Sequence, residues 1–365
     1  MRFKAKHSGY SVFYSKLFSI ICPIALQQLM LAAVSASDAL MLGFVNQNSL
    51  SAVSLASQIT FVFNLFMGGL TIGTSILAAQ YYGKGDMDSI EKICAYVIKI
   101  SFFISSLFFL ASLFIPQILM QIFTKETTLI DGGIIYLRIV AASYLFTGIS
   151  QIYLCILKNT GYAIKSMVIG SSAVIINIFL NAALIFGLLF FPKMGIAGAA
   201  LATSVSKLIE MIWTYIESLR KNRAKIKVKY WFRVNKLLVK DYWKYTIPML
   251  GDYIVWGCGF TMYSVIMGHL GSDAVAANSI TNIVKNLIVS FCTGLANGGG
   301  IIIGNELGTG NLKQAKIYGK LLCKLAVISG ILSGIFLVIM LPFIVSVVDL
   351  SPQATEYLKY MLILC

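Results

Sequence analysis

Charge is what this chain has least of. Aspartate and glutamate number 14 and lysine and arginine 29 in 365 residues, so charged residues make up 12%. That is about half the share of a soluble protein. So little polar side chain cannot cover a water-facing globule, and it excludes a disordered or charge-rich class as well. Histidine occurs twice, as His7 near the start and His269 beside an expected turn, so no metal-ligand pair is available. The seven cysteines form no CxxC and no Cys/His cluster, and they lie in or beside apolar runs as small reduced core residues. Gly83-Lys84-Gly85-Asp86 lacks the GxxxxGK[ST] spacing of a phosphate-binding loop. With no catalytic constellation, an enzyme is not expected, nor is ATP-driven transport, a bound metal or a cofactor. What is abundant is apolar surface: 58% of residues are hydrophobic before the 30 glycines are counted, and mean hydropathy is +0.84. The class that remains is an all-α polytopic membrane protein.

A spanning helix needs about 20 mostly apolar residues. Such runs occur near 17–43, 52–80, 93–122, 132–157, 166–190, 195–217, 245–270, 277–304 and 319–347, and a tenth begins near 354. Of the 29 basic residues, 23 fall on one side of the resulting topology, 2 on the other (Lys125 and Lys193), and 4 within spans (Arg138, Lys207, Lys285 and Lys359). Lys158 and Lys165 are counted in the turn after the fourth span, and ten basic residues lie between 220 and 244. The positive-inside rule makes the N-terminus cytoplasmic in a multi-pass plasma (inner) membrane protein. The net charge of +15 is therefore topology and proximity to anionic lipid, and no nucleic-acid partner is expected.

Shifted by 225 residues, the sequence aligns with itself without a gap. Pro23 meets Pro248, Gly69 meets Gly294, Gly73 meets Gly298, Gly83 meets Gly308 and Gly85 meets Gly310. Over positions 23–85 there are 11 identities, six of them glycine or proline. Those are residues that backbone geometry or close helix approach dictates. One residue out of this register, Pro116 meets Pro342. Six spans separate the copies, so both start from the same side, a parallel repeat about an axis normal to the membrane. The expected architecture is an N-lobe at 1–217 (spans 1–6), a basic cytoplasmic linker at 218–244, and a partial C-lobe at 245–365 (spans 7–9 and the start of 10). Against the first copy, the second is about 80 residues short by length, and a truncated second lobe is expected.

Three stretches resemble a known family. Gly69 to Asp86 is similar to the end of the second helix of the MATE (multidrug and toxic compound extrusion) family, and Gly294 to Gly310 to its eighth-helix counterpart. Asn177 to Gly187, followed by Gly195 to Thr203, is similar to that family's fifth-to-sixth helix turn. Pro23 and Asp38, fifteen residues apart, resemble its bent first helix. The resemblance implies a monomeric secondary antiporter, coupled to H+ or Na+, that exports small amphipathic organic compounds by alternating access of two lobes in contact with membrane lipid. The alternative is a flippase for lipid-linked oligosaccharide or polysaccharide precursors from the same superfamily.

Asp38 lies about 20 residues into its span. A carboxylate at that depth must face protein or water, and it suits a group that is protonated in one state and ionised in another. Asn177 and Asn181 share a helix face, as interhelical hydrogen-bonding groups or as part of a cation site. The resemblance places Asn177 on a family site residue. It also places Asn181 where many members carry a second acid, which leaves Asp38 to couple alone. Pro23 either bends the first helix or sits in its first turn. Arg138 and Lys285 are the candidate cavity charges: both facing a cavity favours the flippase, both facing lipid favours drug export. Lys207 and Glu210 are expected to pair, and Glu306 to cap or pair near the membrane surface.

Overall fold

The computed structural model describes residues 2–43, 47–188, 191–226, 230, 236–269, 272–347 and 352–364. The side chains of some helical residues within these ranges, Asp38 among them, lie outside the description. Among the described residues all regular structure is helical: α1 (Arg2–Gly43), α2 (Gln47–Gly83), α3 (Met87–Phe114), α4 (Pro116–Gln121), α5 (Thr127–Asn159), α6 (Ala163–Phe186), α7 (Ile196–Ser218), α8 (Lys236–His269), α9 (Ser272–Gly308), α10 (Leu312–Val347) and α11 (Pro352–Leu364). Eight of them are long and apolar enough to cross a membrane. The remaining long helix, α8, matches the expected span at 245–270 but is less uniformly apolar, carrying Lys236, Lys240, Asp241, Lys244 and Asp252. With no water in the hydrocarbon, only a segment that closes its own backbone hydrogen bonds can span it, and so apolar runs of this length become helices.

The 225-residue repeat holds in the backbone. The ranges of α2 and α9 are offset by 225 at both ends, and so are the first residues of α3 and α10 and of α5 and α11. Two expectations need correction. The run at 93–122 is two helices: α3 stops at Phe114 and Pro116 opens α4 at its first position, where its missing N–H leaves no bond unmade. Its near-counterpart Pro342 lies inside a continuous α10. Pro23 lies in the middle of α1, which removes the first-turn reading and leaves the Ser19 carbonyl without a donor from residue 23.

In the first six-span set, α5 packs against α2, α3 and α7 and is the most buried of the long helices. Its core is aromatic where α2, α3 and α5 meet: Phe63 lies edge-on to Tyr144 at 5.0 Å and to Phe108 at 5.3 Å, and the Tyr144 hydroxyl is 3.0 Å from Thr60 Oγ1. The stretch after α7 is stitched to this set. Glu217, buried at the end of α7, pairs with Arg220 at 3.1 Å and Arg223 at 2.9 Å. The Tyr153 hydroxyl donates to the Ala224 carbonyl, and the Lys225 amide donates to Glu91.

Candidate functional site

The two copies meet through exchanged partners. α2 packs on α8, and its counterpart α9 packs on α1. A Cβ built on Gly73 would lie 3.2 Å from Thr246 Cα, and one on Gly298 would lie 3.1 Å from Ile21 Cα. Likewise Gly69 faces Leu250 Cα at 3.1 Å, and Gly294 faces Ala25 Cα at 2.4 Å. Every residue in one member of each pair is 225 positions from its equivalent in the other, which makes the seam pseudo-two-fold. On the axis the equivalents meet each other: a Cβ on Gly83 would be 2.9 Å from Gly308 Cα and 2.1 Å from the Asn305 carbonyl oxygen, and one on Gly308 would be 2.0 Å from the Gln80 carbonyl oxygen. Ala79 and Gly304, another equivalent pair, are also in contact. Gly85 and Gly310 serve differently. Their φ values of 76° and 79° are in the left-handed region, which lets the chain turn into α3 and α10. Beside the Gly83–Gly308 contact, Lys16 of α1 pairs with Glu306 of α9 at 2.5 Å. The sequence suggested that Glu306 would pair but gave no partner.

A cavity of about 340 Å³ lies on the same axis, walled by α1, α2, α5, α8 and α9. Its α2 wall runs from Thr71 to Ile76, about 10–18 Å along the helix from Gly83. Gln28 and Tyr253 face it as equivalents, as do Ile72 and Asn297, and Ser75 and Gly300. The α5 wall contributes Gln151, Cys155, Lys158 and Asn159. Lys158 thus corrects the sequence reading: it is the last but one residue of α5 and lines the cavity, and is not a turn residue.

The remaining candidates separate. Asn177 and Asn181 are brought together and buried, with Asn181 Nδ2 donating to Asn177 Oδ1 at 3.2 Å. Asn177 Nδ2 reaches Ser206 of α7 at 3.4 Å and Thr203 at 3.5 Å. Whether Asp38 joins them lies outside the described residues, although α1 packs along α6. Lys207 donates to Glu210 at 2.8 Å as expected, and the Ser150 hydroxyl takes the other carboxylate oxygen at 2.6 Å. Arg138 is exposed on α5. Lys285 is exposed in a second cavity between α8, α9 and α11, beside Trp256 and Phe260. Neither is among the residues lining the interlobe cavity.

A parallel helical repeat with a pseudo-two-fold seam and a polar cavity on its axis defines a polytopic membrane protein of the two-lobe transporter fold. The MatE family model matches residues 23–183 and 248–365, and the chain belongs to that family. It is 25% identical to the uncharacterized transporter YisQ of Bacillus subtilis over 80% of this chain and 64% of that protein. It is 24% identical to the multidrug resistance protein PmpM of Pseudomonas aeruginosa over 82% of this chain and 64% of that protein. The chain thus spans just under two thirds of the length of these relatives. The same fold is seen in an outward-facing multidrug-resistance MATE family transporter of the MOP superfamily, with a TM-score of 0.85 at 17% identity, covering 96% of this chain and 79% of that one.

Proposed function

We propose that this chain belongs to a secondary antiporter that exports small amphipathic organic compounds, driven by H+ or Na+, through alternating access of lobes formed by 1–217 and 245–365. The observation that carries this reading is the pseudo-two-fold seam, tight at Gly83–Gly308 and widening to a cavity farther along the same axis. Two bodies that meet through such a seam can rock apart at one end and close at the other. The closed end is taken as cytoplasmic, with residues 219–226 held on the first lobe and the protein working as a monomer in the plasma membrane. Asp38 is the coupling carboxylate, with Asn177 and Asn181 as neutral ligands or supports, and Pro23 as the place where α1 can bend. Multidrug relatives such as PmpM favour drug export over the flippase.

The test is efflux of amphipathic probes of both charge signs, ethidium and 1-naphthoate, from cells expressing the natural protein, before and after collapse of the proton and sodium gradients. Gradient-dependent efflux that falls at least tenfold in Asp38→Asn is expected. Undiminished efflux in that variant overturns the role of Asp38, and no gradient-dependent movement of any amphipathic probe overturns the transporter reading.

A further inference from the structure

We propose that the interlobe cavity is a binding site for the carboxylate of an amphipathic organic anion or zwitterion, with Lys158 as its counter-charge. This deepens the transporter reading and rests on it for the direction of movement, but the binding itself does not.

A lysine in the last turn of a helix is usually explained by the free carbonyls there, which favour a cation. At α5 two of the last four carbonyls, those of Ile156 and Leu157, already have other donors. The Asn159 amide donates to the Cys155 carbonyl, and Thr160 takes the Ile156 carbonyl through both its amide and its hydroxyl. The Tyr162 amide takes the Leu157 carbonyl. A second explanation, an internal acid, fails. No carboxylate lies within 4.0 Å of Lys158 Nζ among the described residues. Glu210, the acid whose field reaches it from α7, has its two oxygens taken by Ser150 and Lys207. Glu306, beyond the floor of the cavity, is paired with Lys16.

The cavity therefore holds a lysine with no carboxylate of the chain paired to it among the described residues, and an anionic ligand would supply that counter-charge. Around it are the amides of Gln28, Gln151 and Asn297 and the hydroxyl of Tyr253. None of these four has a hydrogen-bond partner within the chain among the described residues, whereas Ser75 and Asn159, which also line the cavity, bond to each other at 3.0 Å. Uncommitted amide and phenol donors beside an ammonium group match a carboxylate, which accepts at both oxygens. They match an organic cation poorly, because Lys158 would repel it. The rest of the wall is apolar, from Ile24, Ile72 and Ile301. A volume near 340 Å³ is within the range that holds a drug-sized molecule. The ligand is thus an apolar body with one anionic group, and a zwitterion fits if its cationic end lies away from Lys158.

The experiment uses two probes of the same shape and opposite charge, 1-naphthoate and 1-naphthylmethylammonium, titrated calorimetrically into the natural protein in detergent. The carboxylate is expected to bind at least tenfold more tightly. Lys158→Gln should remove that preference, a loss of about 10- to 100-fold for a charge-assisted contact. Lys158→Arg should keep the carboxylate within a few-fold of wild type, and Asn297→Leu, on the opposite wall, should weaken it without touching the charge. If Lys158→Gln does not fold, the Arg and Asn297→Leu variants decide. A wild-type preference for the ammonium probe overturns the proposal, and so does carboxylate binding indifferent to Lys158→Gln or to Asn297→Leu. Neither binding arm needs a gradient. Binding as described without export overturns only the transporter reading, and export of cations without carboxylate binding overturns only this one.

Discussion

Replacing Gly83 with alanine should favour the state in which the lobes are apart at that end. The added Cβ would sit 2.1 Å from the Asn305 carbonyl oxygen and 2.9 Å from Gly308 Cα. Both are backbone atoms of α9, so no rotamer can move them aside. Restoring an ordinary contact of 3.4 Å requires α2 and α9 to separate by about 1 Å. Overpacking of this kind costs roughly 1–3 kcal/mol. A cost borne only by the closed state shifts its population by about 5- to 150-fold. Lys84 and Thr309 are equivalent, exposed positions just beyond the contact. Spin labels on Lys84→Cys and Thr309→Cys, in a background without other cysteines, report the separation by pulsed electron resonance. A single short distance is expected for the parent, and a second, longer population for Gly83→Ala and Gly308→Ala. An unchanged short distance in both variants, with folding confirmed by gel filtration, would refute the reasoning.

Removing one partner of the Lys16–Glu306 pair, which is partly exposed, should change stability by only about 0.2–1 kcal/mol. Glu306→Gln should lengthen the same spin-label distance slightly, and the exchange Lys16→Glu with Glu306→Lys should restore it. Glu217→Ala should be more damaging, about 3 kcal/mol, because it strips the nearly buried Arg223 of its carboxylate, and a thermal melt followed by gel filtration reads the loss. Asp86 caps α3 by accepting from the hydroxyl and amide of Ser89, and these bonds hold its carboxyl below the usual aspartate value of 3.8. Because the folded value is the lower one, its contribution is complete above that reference and fades only as pH falls through the folded value. Asp86→Ala should therefore cost about 1 kcal/mol, with the same melting difference at pH 5 and pH 8.

The positions of the long helices, the repeat and its register were legible because they are written in apolar length and in glycine and proline. A glycine that must admit another backbone has no substitute, so Gly83 and Gly308 stayed visible under otherwise divergent sequence. The helix break at Ile115 was hidden because an apolar run does not record whether one helix or two make it up. Lys158 was hidden for a related reason. Topology rules count charge per loop, whereas the face that a helix's last turn presents depends on which helices surround it. The Lys16–Glu306 pair joins residues 290 apart, and no local pattern carries such a contact.

The exchanged pairing of α1, α2, α8 and α9 is the geometry of an isologous dimer realised within one chain. In such a dimer a single residue change alters both halves of the contact at once. Covalent joining divides that change in two, so Ala79 can differ from Gly304 and Gln80 from Asn305 while the backbone fit stays symmetric. Asymmetry of the cavity wall can then be introduced one side chain at a time, as at Gln28 and Tyr253, without altering the glycine seam.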